Sequence, residues 1–320
     1  MYTYEARELK LRQMRAKRRR VVRLQKTILS LSLVAVISFS GALKIIIDRG
    51  GTKYIAGKVG IQDPKTVVSG VQVLGKANTA LKEAATIALA NSGTKIIAHR
   101  GYSIQAPENT LAAFELAAQN GTWGIETDIC RTSDGQYVCM HDNAMDRMTN
   151  SAGNIGSLTL AQVEAAIIDA GAQIDLYPNE KVPTLNEFLE LCKNYNINAV
   201  LDLKFDDTAY LDDLVQTIRD AGMEQASIVL TTPDLMKRIR ELSDQIQVQY
   251  LHTEATRETI DQAAEIPYSG IDVSSITPEL IQYAQEKGVT VNVWTYNSSE
   301  DKVRWEELDV DYLTTDNVNL

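Results

Sequence analysis

The chain has 320 residues, a formal net charge of −10 and 44% hydrophobic residues, enough for one large core or two modest ones. Most of its acidic residues lie after residue 26, whereas residues 1–26 are strongly basic, so the body of the chain is more acidic than the total shows. Such a body disfavours nucleic-acid binding, and three cysteines without a CxxC or HExxH pattern exclude a disulfide-rich scaffold and a zinc cluster.

The basic arm, 1–26, gathers Arg15, Lys17, Arg18, Arg19, Arg20 and Arg23 just before an apolar segment, 27–47, whose one charge before residue 48 is Lys44. A spanning helix needs about 17–25 residues, and a lysine near one end can snorkel to the interface. The segment predicts a transmembrane helix acting as a signal anchor. The positive block before it places the N-terminus in the cytoplasm. Everything after it is then expected outside the cytoplasm, at the cell membrane. Ser38, Ser40 and Ala42 leave a cleaved signal peptide as an alternative, and a buried core helix is a third reading. Residues 48–94 read as a connector, helical over 67–90. Within it, Gly70, Gly75 and Lys76 imitate a phosphate-binding loop. Ala77 stands where a Ser or Thr is needed and no strand precedes, so the match is set aside as chance.

From Lys95 onward, short apolar runs alternate with amphipathic stretches. Strands are expected at 95–99, 123–129, 198–203, 227–231, 247–251, 270–273, 289–294 and 311–314. Helices are expected at 110–120, 184–195, 209–221, 234–242, 256–264, 277–287 and 299–307. Eight strands separated mostly by helices predict an α/β fold, a (β/α)8 TIM barrel over 95–320. A long insertion follows the second strand. A doubly wound open sheet is the alternative, but no Gly-rich dinucleotide fingerprint follows the first run.

Reacting groups of such barrels sit at the C-terminal ends of strands. The first run ends in His99-Arg100-Gly101. The second holds Glu126 and Asp128, two apart and so on one face, which in a barrel is the interior. Unpaired carboxylates there are costly. Their convergence points to a hard divalent cation, Ca2+ or Mg2+, rather than zinc. Salt bridges to neighbouring Arg or Lys explain the same spacing equally well. Asp202 and Lys204 share a face in the same way. Asp202 is a candidate third ligand and Lys204 a candidate phosphate contact, with a simple ion pair between them as the even alternative.

Asp134-Gly135 between alternating runs signals a hairpin. A two-residue loop would set Asp128 opposite His141 and Cys130 opposite Cys139. The first pairing brings a second histidine to the acids. The second makes a Cys130–Cys139 disulfide conceivable outside the cell. A three-residue bulged loop would shift the register by one. A histidine pair beside a cation suits cleavage of a phosphodiester: one imidazole takes a proton from the attacking hydroxyl, the other gives one to the leaving alkoxide. Arg100 would stabilise charge on the phosphoryl oxygens. His252 has no acidic partner pattern and reads as structural.

Taken together, these motifs resemble the glycerophosphodiester phosphodiesterase family of phospholipase C-like TIM barrels. The resemblance runs through 96–101 (Ile-Ile-Ala-His-Arg-Gly), 106–110 (Ala-Pro-Glu-Asn-Thr), 125–128 (Ile-Glu-Thr-Asp), 132–135, His141-Asp142, Asp146-Arg147 with Thr149, 182–185, 293–297 and 313–317. It implies His99 and His141 as acid and base, and Glu126 and Asp128 as metal ligands. It implies Arg100 and Lys204 as phosphate contacts and Trp294 as a pocket wall, with Glu108 and Asn109 lining or bracing the site. Asp202 departs from the pattern, where the family has glutamate. The implied reaction converts a glycerophosphodiester to glycerol 3-phosphate and an alcohol, with the neighbouring glycerol hydroxyl as internal nucleophile. Lysophospholipids or glycerol-phosphate polymers are alternative substrates. A non-catalytic phosphodiester-binding scaffold is the alternative of a different class.

Overall fold

The computed structural model describes residues 93–320. The basic arm, the 27–47 segment and nearly all of the 48–94 connector lie outside the described residues. Among the described residues no helix is long and apolar enough to cross a membrane.

In chain order the elements are β1 (Lys95–Ala98), α1 (Leu111–Gln119), β2 (Gly124–Arg131), β3 (Tyr137–Cys139), α2 (Leu160–Ala165), α3 (Leu185–Tyr195), β4 (Asn198–Leu203) and α4 (Leu211–Asp220). They continue with β5 (Ser227–Thr231), α5 (Pro233–Leu242), β6 (Gln247–Glu254), α6 (Arg257–Ala264), β7 (Ser269–Ser275), α7 (Pro278–Lys287), β8 (Thr290–Val293), α8 (Ser299–Leu308) and β9 (Tyr312–Thr315). Every strand but β3 runs parallel to its neighbours, and β1 pairs with both β2 and β9. The sheet therefore closes into the expected eight-stranded barrel. Helix starts are set locally. Thr110, Thr184, Thr256, Thr277 and Ser298 each accept a hydrogen bond from the backbone three residues on. Such caps contribute about 1 kcal/mol apiece.

Alternation along each strand separates two cores. Outward residues such as Ile125, Leu201 and Val229 pack on Phe114, Phe188 and Ile239 of the helices. On the other half of the barrel, Ile271, Val291 and Leu313 pack on Ile260, Ile281 and Trp305. The inward residues stack in layers of four, supplied by alternate strands. Strand registers place Ile97, Val200, Gln249 and Asn292 in one layer. The next toward the C-terminal mouth holds Glu126, Leu230, Asp272 and Thr314, and the next His99, Asp202, Leu251 and Trp294. The lower interior is mixed, with Ile97, Val200, Ile228 and Tyr312 packed together and Gln249 and Asn292 buried in the same part of the barrel, and it turns acidic toward the mouth.

One expectation is corrected. The β2–β3 register pairs Ile129 with Cys139 and Cys130 with Val138, not Cys130 with Cys139, and it sets Met140 rather than His141 beside Asp128. The loop has three residues. Gly135 takes a φ of +85° and its N–H donates to the Thr132 carbonyl, while Thr132 N–H donates to the Gln136 carbonyl. This is a turn followed by a left-handed glycine, a bulged loop rather than a two-residue one. The shift sends the two thiols to opposite faces. Cys130 joins the small core of the insertion with Met140, Met145 and Ile155, whereas Cys139 joins the main core. Both are free and buried.

Candidate active site

Each sequence-predicted group except His252 comes to the mouth of the barrel. His252 alternates outward on β6, away from the interior residue Leu251, and is exposed, its Nδ1 beside the Glu254 carbonyl.

His99 follows β1, its backbone N–H still donating to the Thr315 carbonyl. The chain then turns sharply. Arg100 takes a φ of +56° and Gly101 of +82°. A Cβ on Gly101 would meet the Ala113 backbone at 2.7 Å, so only glycine fits under α1. The turn aims the Arg100 N–H at Glu126 Oε2, 2.8 Å away. The guanidinium reaches Glu108 at 2.9 Å and Asp128 at 3.2 Å.

Glu126, Asp128 and Asp202 are buried, and each offers an oxygen within 4.8 Å of the others. Lys204 Nζ bridges two of them, at 2.8 Å from Asp128 and 2.5 Å from Asp202. Asp128 is further held by Asn109, which donates at 2.7 Å to Oδ2. Asn109 in turn accepts from the Thr127 hydroxyl. Although burial alone would raise it, the Asp128 carboxyl is held below its usual range by Lys204 and Arg100. Among the described residues no cationic side chain is in ion-pair contact with Glu126. Burial, then the charge of Asp128, pushes its carboxyl up to about 8. Burial also raises Asp202 despite Lys204, and Asp202 Oδ1 has no hydrogen-bond partner. An all-oxygen set with one carboxylate outside any ion pair and one orphaned oxygen fits a hard divalent cation. The ion-pair reading accounts for Asp128 and leaves Glu126 unexplained.

Each histidine has a carboxylate on Nδ1. His99 meets Asp316 at 2.6 Å, and His141 meets Asp142 at 2.7 Å. Their Nε2 atoms are thereby the ones left for chemistry. Burial of His99 lowers its pKa, but the Asp316 hydrogen bond and the Glu126 charge outweigh this, and the imidazole is held above its ordinary value. His141 lies on the other flank, close enough for its charge to act on Asp202. It arrives there because Met140 N–H donates to the Asp128 carbonyl, carrying the hairpin up beside β2. Trp294 continues β8 into the mouth, its Nε1 buried and unpartnered.

Two groups stood in the sequence motifs without a role. Asp316 lies 217 residues from His99 in the chain, and its motif and its place just after β9 gave no sign that it orients a histidine. Arg147, from the insertion, ties Asp142 at 2.5 Å to Glu108 at 2.7 Å. The Arg147 hydrogen bond, with that of His141, holds Asp142 down to about 2.

Barrel architecture, buried acids and two carboxylate-braced histidines define a barrel hydrolase of the phosphodiesterase class. Residues 99–320 match the family model "Glycerophosphoryl diester phosphodiesterase family", and the chain belongs to that family. It is 30% identical over 230 residues to a glycerophosphodiester phosphodiesterase of Caldanaerobacter subterraneus subsp. tengcongensis, covering 70% of this chain and 94% of that one. A solved glycerophosphodiester phosphodiesterase from Parabacteroides distasonis is 25% identical with a TM-score of 0.60, covering 71% of this chain and 94% of that one. An Oleispira antarctica phosphodiesterase, solved with its product sn-glycerol-3-phosphate, is 24% identical with a TM-score of 0.62 over 70% of this chain and 93% of its own. The chain is accordingly a phosphoric diester hydrolase.

Proposed function

We propose that the chain cleaves glycerophosphodiesters to glycerol 3-phosphate and an alcohol, using His99 and His141 as the acid–base pair around a divalent cation held by Glu126, Asp128 and Asp202. The observation that carries this reading is the pair of histidines, each oriented by a carboxylate on Nδ1, on either flank of the acidic triad. When bound, Ca2+ or Mg2+ supplies positive charge for the phosphoryl oxygens. Arg100 and Lys204 add donors from the chain itself. Asp316 and Asp142 fix the tautomers so that both Nε2 atoms face substrate. One imidazole accepts the proton of the attacking glycerol hydroxyl and the other gives a proton to the leaving alkoxide, which forms a cyclic phosphate; water then opens the ring with the two proton-transfer roles reversed, giving glycerol 3-phosphate. Trp294 and Glu108 border the substrate.

Turnover of glycerophosphocholine by the full chain, assayed with Ca2+, with Mg2+ and with EDTA, tests the reading. Activity that EDTA abolishes and either ion restores is expected. A folded protein without cation-dependent turnover of any phosphodiester would favour the scaffold reading instead. His99→Ala and His141→Ala should each lose at least ~10²-fold in kcat.

A second proposal concerns placement. The basic arm followed by the 27–47 apolar segment supports an anchor with the catalytic domain outside the cytoplasm. Lysophospholipids and glycerol-phosphate polymers would then be within reach. Carbonate-resistant membrane association, with the barrel accessible to protease on intact cells, is expected. Release of the chain by carbonate would overturn it.

A further inference from the structure

Beneath the acidic triad the barrel interior stays polar where an apolar core is the rule. Gln249 is fully buried and neither of its amide atoms has a partner. Asn292 Nδ2, Asp272 Oδ1 and Asp202 Oδ1 are likewise buried and unpartnered. Strand registers put these residues in three successive layers, with Gln249 and Asn292 below, Asp272 between, and Asp202 above. Each such orphan is destabilising if nothing meets it. Buried donors and acceptors left unbonded in adjoining layers suit a bridging water, which takes two to four polar partners.

Asp272 stands out among them. Its layer is shared with Glu126, Leu230 and Thr314, which puts Asp272 and Glu126 on opposite walls of the barrel. Asp128 is compensated by Arg100 and Lys204, and Asp202 by Lys204. No cationic side chain pairs with Asp272 among the described residues. Its only resolved charge interaction is repulsion from Asp202, and burial together with that repulsion raises its carboxyl well above the ordinary range. A carboxylate so placed is tolerated only beside a cation or as a neutral acid. Three carboxylates leave Ca2+ or Mg2+ short of the six or more oxygens it takes. Substrate can supply oxygens only from the mouth. The inward side faces Asp272.

Resting on the cation reading above, we propose that Asp272 is a fourth carboxylate of the cation centre, acting on the inward side of the ion through a bridging water that Gln249 also engages. Asp272 is a positioning residue in this scheme. It sets cation affinity and does not touch substrate.

The test is calorimetric titration of the EDTA-stripped full chain with Ca2+ and with Mg2+, alongside its thermal unfolding without ions. Asp272→Asn keeps the shape and removes the charge. It should weaken cation binding ~10–100-fold, the usual cost of losing an outer partner, while leaving the ion-free Tm equal or higher. Gln249→Leu, which alters no charge, should weaken binding in the same direction. Unchanged Kd in folded Asp272→Asn would overturn the proposal, as would a lowered ion-free Tm with unchanged Kd, the signature of a purely structural residue. A wild-type chain that binds neither ion would remove the cation reading itself, a different failure.

Discussion

Asp316 decides how His99 behaves. The carboxylate sits 2.6 Å from Nδ1 and, with Glu126, raises the imidazole above its ordinary pKa. Asp316→Asn keeps a hydrogen-bonding group but deletes the charge. The His99-linked limb of the pH–rate profile should therefore move to lower pH, with a fall in kcat, while KM changes little. A fall in kcat with an unmoved profile would mean that Asp316 only packs the ring. Glu126 gives a second prediction, with its sign set by burial. The folded state holds the Glu126 proton more tightly than the unfolded chain, up to about 8 against a usual 4.5. Stability from this group is thus complete below about 4.5 and lost as pH rises toward 8. In EDTA the Tm should drop across that window. Added Ca2+ or Mg2+ should restore most of the loss at pH 8 and little at pH 5. Equal ion effects at both pH values would contradict the assignment. These residue-level facts were only half legible in the sequence. Glu126, Asp128, His99 and Arg100 sit in short contiguous motifs, where spacing alone fixes a shared face. Asp316 and Asp272 are single acids on distant strands, and their meaning appears only when the barrel closes and brings both ends of the domain together.

Elements were more legible than contacts between them. All eight parallel strands were expected within a few residues, because outward apolar positions alternate with inward ones and every helix but α4 begins at a Ser or Thr. The hairpin after β2 was not, since Asp-Gly serves a two-residue loop and a bulged one alike. The Thr132 side chain settles the choice: it donates to Asp134 and accepts from the Gln136 N–H, closing a three-residue loop. That shift separated Cys130 from Cys139, yet the ladder still delivers His141 to the acids. The β1–α1 turn is the element on which the site most depends. At Gly101, a positive φ and a 2.7 Å approach to the Ala113 backbone coincide. Gly101→Ala should destabilise the domain by roughly 1–3 kcal/mol. The same change should lower kcat, because His99 and Arg100 enter the site through this turn. Denaturant midpoints and turnover measured together would check both, and a neutral substitution would show that the turn relaxes freely.

At the scale of the whole molecule, charge separates the chain into a basic arm and an acidic remainder. A phosphodiester is an anion, so the bulk field of the remainder opposes its approach, while Arg100, Lys204 and a cation in the proposed site would attract it at short range. The two effects differ in reach. Bulk charge acts over distances that salt screens, about 10 Å at 0.1 M. Contacts inside a closed barrel mouth are screened far less. Raising inert salt at saturating cation should therefore lower KM for an anionic substrate such as glycerophosphoglycerol. It should do much less for zwitterionic glycerophosphocholine, and kcat should stay level for both. The opposite trend, with KM of the anion rising in salt, would mean that the cations at the mouth dominate the field along the whole approach. The acidic body would then have no influence on capture.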